Sequence, residues 1–303
     1  MPEGPEVTIL SQYLTTKLKN KTFVSADILG GKYAKHDIEN INLIQSQNLK
    51  IIKSESKGKY MWIELENDIY ILLHLGSDGF WTFTEHSTDK VRFVVKDKKG
   101  KNYNLCYKDS ANRGSIKVLV SKDELYKKID TLAPDALKTD FTESDFKGYV
   151  NNFLKVSKAR HNKYIFKALM SQDLKDGIVS GLGNYLTPEI LYDCKISPFR
   201  PVGDLSDNDI KKLSKSIKKI IKLSYYNNVT GYMTAFGDFI HTHKERIDNG
   251  TYPTYHSNVK LKENEEFSFK VYRQKQDPNG HDVDPNKDLN PGRTTYWVPT
   301  VQI

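Results

Sequence analysis

Between Thr22 and about Val120 the chain is written in short apolar runs, and after Asp140 its period changes. No other feature constrains the fold as much. Ile51-Ile52, Tyr60–Leu65, Ile69–Leu73 and Val91–Val95 are separated by turn residues at Asn67-Asp68 and Asp97–Gly100. Strands at this spacing predict a sandwich or barrel. From Asp140 to Asn228 the pattern is helical, with Leu132–Leu137 expected to turn helical on the way in. Ser206 followed by Asp209 has the form of a capping box. It predicts a helix with Ile210, Leu213, Ile217 and Ile220 inward and Lys211, Lys212, Lys215, Lys218, Lys219 and Lys222 outward on a solvated face. The tail alternates at Phe267–Tyr272, passes a turn-rich Asp277–Gly280 and reaches Gly292–Trp297, which reads as a hairpin with Arg293 near its tip. A length of 303 residues suits two domains with a small appendage. The boundaries expected are a β domain over 1–125, a linker over 126–139, a helical domain over 140–240 and the tail region over 241–303.

Ahead of the strands, Val7, Leu10, Leu14 and Leu18 recur at helical spacing and predict an amphipathic helix ending near Asn20. The residues before it, Met1-Pro2-Glu3-Gly4-Pro5-Glu6, are stiffer than a frayed terminus needs. Pro5 and Glu6 suit the first turn of a helix, so a plain structural cap is one reading. The other is chemical. Once Met1 is cleaved, Pro2 is a terminal secondary amine, able to attack an electrophilic carbon and carry the adduct as an iminium. An α-amino group titrates near 8, so a useful fraction is uncharged at neutrality. Glu3 beside it can move protons.

Gly181-Leu182-Gly183-Asn184-Tyr185-Leu186 lies between a helix expected to end near Asp176 and one expected over about Pro188 to Cys194. Such a turn, with free N–H groups and a helix N-terminus behind it, can hold an anion, and a duplex phosphate is a good candidate. A net charge of +8 and a pI near 9.1 favour a polyanionic partner. Only Cys106 and Cys194 are present, which excludes a disulfide framework and a four-cysteine zinc site and fits a reducing compartment. There is no apolar run of membrane length, and the N-terminus is acidic where a signal peptide is basic. An intracellular, soluble protein with no membrane partner is expected. His241 and His243 have no cysteine or third ligand beside them, so neither a metal nor a cofactor is expected.

Together these segments resemble the formamidopyrimidine-DNA glycosylase / endonuclease VIII family of base-excision repair enzymes. The resemblance rests on Pro2-Glu3-Gly4-Pro5-Glu6, Lys57-Gly58-Lys59-Tyr60, His74-Leu75-Gly76, Leu132-Ala133-Pro134-Asp135, Gly181–Asn184 with Glu189, and Arg293, in the family's order. It implies an α+β fold of two domains: a β-sandwich carrying the N-terminal helix, then a helix–two-turns–helix domain with a finger hairpin. It implies damaged DNA as partner, bound by a monomer with the damaged nucleotide flipped out. Pro2 would attack C1′, Glu3 would handle protons at the sugar, Lys59 would donate during strand scission, and Arg293 would assist δ-elimination. His74, Asn184 and Arg293 would grip phosphates, with Glu6 and Glu189 in support.

Departures from the family pattern set further expectations. Asn279, Asp282, Val298 and Val301 stand where the finger usually has cysteines, so the finger is expected to lack zinc, like that of some endonuclease VIII-like members. Ser77 replaces a methionine that fills the gap left by the flipped base, and Asp109-Ser110-Ala111-Asn112-Arg113-Gly114 replaces an Arg-Phe wedge. Arg113 would compensate in part. A preference for single-stranded, bubble or fork DNA over intact duplex is therefore expected, while the resemblance implies oxidised bases as substrates, with pyrimidines and hydantoins favoured over 8-oxoguanine. The alternative is a catalytically weak protein that binds damaged or single-stranded DNA through the same clamp. The eight residues between Gln172 and Gly181 exceed the family's spacing and put the local helix geometry in question.

Overall fold

The structure, a computed structural model, describes residues 2–45, 47–227, 236–290 and 292–303. Contacts group them into two compact units. One holds Glu6–Asp130 with Pro2 and residues 236–241; the other holds Glu3–Pro5, residues 131–227 and Thr242–Ile303.

The first unit carries most of helix α1 (Gly4–Leu18), the short helix α2 (Ile41–Gln45) and the strands β1 (Thr22–Ile28), β2 (Ile51–Lys57), β3 (Tyr60–Leu65), β4 (Ile69–His74), β5 (Phe80–Thr82), β6 (Asp89–Lys96), β7 (Asn102–Lys108) and β8 (Ser115–Leu119). They form two four-stranded antiparallel sheets, β1-β6-β7-β5 and β2-β3-β4-β8. This is the β-sandwich that the resemblance implies. β6 alternates between buried and half-buried residues along its length, the period of a strand with one covered face. β4 is buried at Ile69, Tyr70, Ile71, Leu72 and Leu73 alike. Its second face is covered by helix α3 (Lys122–Ile129), whose Leu125 and Ile129 pack on Trp62, Tyr70 and Leu72. A domain boundary at residue 125 would cut α3, and the unit instead runs on through Asp130.

Helix α1 is amphipathic only toward its end. Val7, Thr8, Ile9, Leu10 and Ser11 are all buried, and exposure begins with Thr16 and Lys17. Its hydroxyls tie it to β2: Thr15 Oγ1 donates to the Ser54 carbonyl at 2.9 Å and accepts the Ser54 N–H at 2.8 Å. Phe236 and Phe239 pack on Tyr13.

The second unit contains α4 (Glu143–Lys155), α5 (Ile165–Met170), α6 (Leu186–Asp193), α7 (Asp207–Asn227), and, after α8 (Asp238–His241) of the first unit, α9 (His243–Asp248). Ser206 and Asp209 do form the capping box of α7: the Ser206 N–H reaches Asp209 at 3.0 Å and the Asp209 N–H reaches Ser206 Oγ at 3.2 Å. Strands β9 (Asp284–Asn286) and β10 (Thr295–Trp297) make the C-terminal hairpin, and Arg293 lies in the loop joining them. Among the described residues no helix is long and apolar enough to cross a membrane.

Four local expectations are overturned. Leu132–Leu137 is not helical; it runs beside residues 172–180, with bridges from Leu132 to Asp173 and from Asp135 to Ser180. Helix α5 ends at Met170, not near Asp176. Phe267–Tyr272 is no strand, and the N–H groups of its second half, Lys270, Val271 and Tyr272, go to a side chain described below. The lysine face of α7 is not simply solvated. Lys218 and Lys222 are each 7% exposed. Their ammonium groups donate to the carbonyls of Phe141 and of His256 and Val259, while Lys219 pairs with Asp193 and Glu265.

Candidate active site and nucleic-acid interface

In the second unit, the site is built around Glu3, which is fully buried. Its carboxylate accepts the N–H of Tyr185 at 2.8 Å and of Leu186 at 3.3 Å. Those are donors at the N-terminus of α6, where no intrahelical partner exists and negative charge is favoured. The next residue is pinned as well: the Gly4 N–H donates to the Gly181 carbonyl at 2.7 Å. A Cβ on Gly4 would lie 3.1 Å from the Gly181 Cα, a tight approach that glycine makes without displacing the turn. The Glu3-Gly4 segment is thus fixed by the same Gly181–Leu186 turn that reads as an anion site. Pro2 itself is buried, and Glu6 is buried in the first turn of α1.

The same turn is held from two other sides. Asn184 Nδ2 donates to the Thr294 carbonyl at 3.3 Å, which joins the turn to the hairpin residue next to Arg293. Gln172 accepts the Gly181 N–H at 2.7 Å and donates to the Leu182 carbonyl at 3.0 Å. The long spacing from Gln172 to Gly181 is thereby explained, since the intervening residues loop out while their two ends are bonded to each other. Glu189, 2% exposed, accepts the N–H groups of Lys270, Val271 and Tyr272 at 3.0, 3.0 and 2.8 Å. Burial raises the Glu189 pKa and these three donors pull it back, with burial prevailing. The segment they hold packs Phe267, Phe269 and Tyr272 against Tyr185.

In the first unit, Lys59 occupies the tip of the β2–β3 hairpin. Lys57 pairs with Tyr60, so Gly58 and Lys59 are the whole turn. Gly58 has φ +57°, which suits the first position of a type II′ turn and leaves Lys59 to project from the second. His74 lies opposite Tyr60 in the β3–β4 register, their rings 4.9 Å apart. Its Nδ1 accepts the Gly76 N–H at 3.3 Å, so the proton of the neutral ring sits on Nε2. Burial pushes the His74 pKa below its usual value, and the charges of Lys59, Lys128 and Lys32 push it further. His74 is therefore a neutral donor among cations.

Arg113 is exposed on a braced loop. Asp109, fully buried, accepts the N–H groups of Arg113 at 3.1 Å and Gly114 at 2.8 Å. Asn112 Oδ1 accepts the Lys32 N–H at 3.3 Å, and the Lys32 ammonium donates to the Gly114 carbonyl. A Cβ on Gly76 would come within 2.6 Å of the Arg113 carbonyl carbon, so the His74–Gly76 turn and the Arg113 loop are packed backbone to backbone. Ser77 bonds Asp78, which in turn accepts the Ala111 N–H.

At the finger, the positions expected to replace cysteines carry an apolar cluster and a polar turn. Val298 is fully buried with Tyr192, Val271 and Val283, and Val301 packs on them. Asp277 accepts the Tyr192 hydroxyl at 2.8 Å, the N–H groups of Asn279 and His281 at 2.9 Å each, and His281 Nδ1 at 2.9 Å. Burial alone would raise its pKa, but these bonds hold the carboxyl well below the usual range. Asp282 accepts from Gln276 at 3.2 Å. Among the described residues no group of three His, Cys, Asp or Glu side chains is placed to hold a metal.

Comparison with known proteins follows the same division of the chain. The formamidopyrimidine-DNA glycosylase N-terminal domain matches residues 1–116, its H2TH domain residues 132–233 and its C-terminal domain residues 257–303. The chain belongs to the formamidopyrimidine-DNA glycosylase family. A formamidopyrimidine-DNA glycosylase of Prochlorococcus marinus (strain MIT 9215) is 26% identical, with both chains covered in full. That of strain CCMP1986 / NIES-2087 / MED4 is 27% identical over 79% of this chain and 83% of its own. Among solved structures, MutM (Fpg) of Thermus thermophilus superposes with a TM-score of 0.71 at 19% identity, covering 99% of this chain and 98% of its own. Lactococcus lactis Fpg in complex with abasic-site DNA gives 0.72 at 19% identity, covering 99% of each chain. At that identity the likeness establishes the fold.

Within the second unit, the structure brings together Glu3, Asn184, Glu189 and the loop of Arg293. Within the first it brings together Lys59, His74 and the Arg113 loop. Sequence reasoning missed Gln172, Asp109 and Asp277 as organising residues. Asp277 carried a signal, an Asx-turn aspartate ahead of Pro-Asn-Gly; the other two carried none.

Proposed function

We propose that this member of the family is a bifunctional DNA glycosylase and abasic-site lyase of the endonuclease VIII-like type, with a finger that folds without zinc. Membership makes it a DNA glycosylase of oxidised-base repair. The observation that carries the finer reading is the capture of Glu3 and Gly4 by the Gly181–Leu186 turn. It supports a role for the stiff N-terminus in holding an amine at one point, beyond starting a helix.

In this mechanism the nitrogen of Pro2, released by loss of Met1, attacks C1′ as the N-glycosidic bond breaks and the base leaves with a proton. The amine proton is lost, Glu3 delivers a proton to the ring oxygen O4′, and breakage of the C1′–O4′ bond opens the sugar and leaves an iminium at C1′. Glu3 moves protons at the sugar. The iminium acidifies C2′, the bond to the 3′ phosphate breaks by β-elimination with Lys59 as donor, and δ-elimination assisted by Arg293 releases the 5′ side. His74 donates from Nε2, and Asn184 and Arg293 hold phosphates flanking the lesion, which fixes register without reading sequence. Glu6 and Glu189 support the first turn of α1 and the Lys270–Tyr272 segment.

The strand preference follows from what the wedge region lacks, and the lesion class from the likeness to endonuclease VIII-like members. With Ser77 and Arg113 where larger apolar groups would fill the void, unstacking of intact duplex, a cost of a few kcal/mol, is poorly repaid. Oxidised pyrimidines and hydantoins in bubble or single-stranded DNA are the preferred lesions. The test compares excision of one oxidised pyrimidine placed in duplex, bubble and single strand, with the termini of the cleaved strand analysed. Faster excision in bubble or single strand, ending in a 3′ phosphate, is expected. Equal rates in all three would sink the strand preference. Tight binding without any cleavage would favour the binding-only alternative. Full activity after chelation, with no stoichiometric zinc in the protein, is expected of the finger.

A further inference from the structure

The first unit holds a cation beside His74 that neither the motifs nor the comparisons single out. Helix α3 ends in Lys127-Lys128-Ile129. Leu125 and Ile129 anchor it on Trp62, Tyr70 and Leu72, and the Lys57 ammonium donates to the Ile129 carbonyl at 2.8 Å. Lys57 is the last residue of β2 before the Gly58-Lys59 turn. The end of α3 is therefore fastened to the base of the turn that presents Lys59. Lys128 is half-buried, with its ammonium 4.9 Å from the centroid of the Tyr60 ring, and that ring is 4.9 Å from His74. Tyr60 is thus a shared wall between Lys128 and His74. The electrostatic ranking agrees with the geometry: after burial and Lys59, Lys128 is the charge that acts most on His74, ahead of Lys32.

We propose that Lys128 is a DNA-phosphate contact, working with Lys59 and His74 on one stretch of sugar–phosphate backbone. Cations gathered around one neutral imidazole repel one another, and a bound phosphate removes that repulsion. His74 adds an Nε2–H donor to the same place. The simpler account of a lysine here is the favourable interaction of cations with a helix C-terminus. Lys127, exposed in the same last turn, shares that benefit without lying against Tyr60 and His74. It is the natural control.

The proposal rests on the reading of Lys59 and His74 as DNA contacts. The experiment measures binding of the full chain, lacking Met1, to an oligonucleotide carrying a tetrahydrofuran abasic analogue, across a salt series. Lys128→Gln, Lys128→Arg and Lys127→Gln are compared with the unaltered protein. Loss of one phosphate contact predicts affinity about tenfold weaker for Lys128→Gln, with the slope of log K against log salt reduced by about 0.7–0.9. Lys128→Arg should restore most of both, and Lys127→Gln should change neither. The His74 titration midpoint, read by NMR without DNA, should rise in Lys128→Gln because a neighbouring positive charge is gone. Unchanged affinity and slope in Lys128→Gln, or equal losses in Lys127→Gln, would overturn the proposal. Covalent trapping of the unaltered protein on an abasic site, run in parallel, separates the two claims. Its absence counts against Pro2 chemistry and leaves the salt slopes readable, whereas failure of the unaltered protein to bind DNA overturns both.

Discussion

The turns at Asp109–Gly114 and at Asp277–His281 are each built on a buried aspartate that accepts backbone N–H groups, and they do different work. Asp109 takes two such bonds, from Arg113 and Gly114, and the loop it shapes leaves the Arg113 side chain exposed. Asp277 takes four, and two of its donors are the Tyr192 hydroxyl and the His281 ring. One turn displays a side chain; the other anchors a hairpin. Both lie where the sequence reading expects a departure from the family's pattern, one at the proposed wedge and one at the proposed finger. The lesson is that a buried carboxylate can set a turn's backbone frame whether the tip displays a side chain or anchors a hairpin.

That contrast is open to direct test, and the largest effect is expected at the anchor. Asp277→Asn removes the charge and turns an N–H donor toward other donors, so it should cost about 3–4 kcal/mol in urea unfolding and expose residues 276–286 to protease. Asp109→Asn, with half as many bonds at stake, should cost about 1–2 kcal/mol and weaken DNA binding more than it weakens the fold. Equal stability losses, or a finger indifferent to Asp277→Asn, would erase the distinction.

A second test uses acid. His243, whose Nε2 faces the Tyr225 carbonyl at 3.0 Å, has its pKa pushed by burial from 6.5 to about 4. His256 is lowered by burial as well, with its Nε2 at 2.8 Å from the Ala136 carbonyl. Below 6.5 the unfolded chain binds protons that these folded rings refuse, so stability falls as pH drops from about 6.5 to about 4, by about 3 kcal/mol for His243 alone. Asp277 acts in another range. Its lowered pKa means that its contribution is present above the ordinary carboxylate range and is lost only well below it. Asp277→Asn should therefore lower the whole curve between pH 6.5 and 4 without changing its slope, and a change of slope there would contradict the assignment.

Sequence and structure agree where the determinants are local. The turn at Asn67-Asp68, the capping box at Ser206 and Asp209, and the strands β2, β3, β4 and β6 are decided by neighbouring residues. The Gly181–Asn184 turn was legible as a motif, but what fixes it was not. Gln172 reaches it across the loop of residues 173–180, and Glu3 across 182 positions. Phe267–Tyr272 has the alternation of a strand, yet Glu189 takes its N–H groups and Tyr185 takes its rings. The lysines of α7 read as a solvent face because nothing near them in sequence shows that Phe141, His256 and Val259 supply carbonyls to two of them.

Smaller effects sharpen the picture of what is displayed. Gln172→Ala frees the Gly181 N–H and the Leu182 carbonyl, and should cost about 1–2 kcal/mol while raising the dissociation constant for abasic DNA several-fold. Arg113→Ala should leave stability within about 0.5 kcal/mol of the unaltered protein, since the side chain is exposed. It should slow excision in duplex more than in bubble DNA, and equal slowing would remove Arg113 from the wedge.

The central claim concerns the amine at the head of the chain. It is tested most directly by borohydride trapping on an oligonucleotide with a natural abasic site. Protein that has lost Met1 should form a covalent adduct, and the adduct should disappear in Pro2→Ala and in protein that retains Met1, whose Pro2 nitrogen is an amide. An adduct of undiminished yield in Pro2→Ala, or none from the correctly processed protein, would contradict the account.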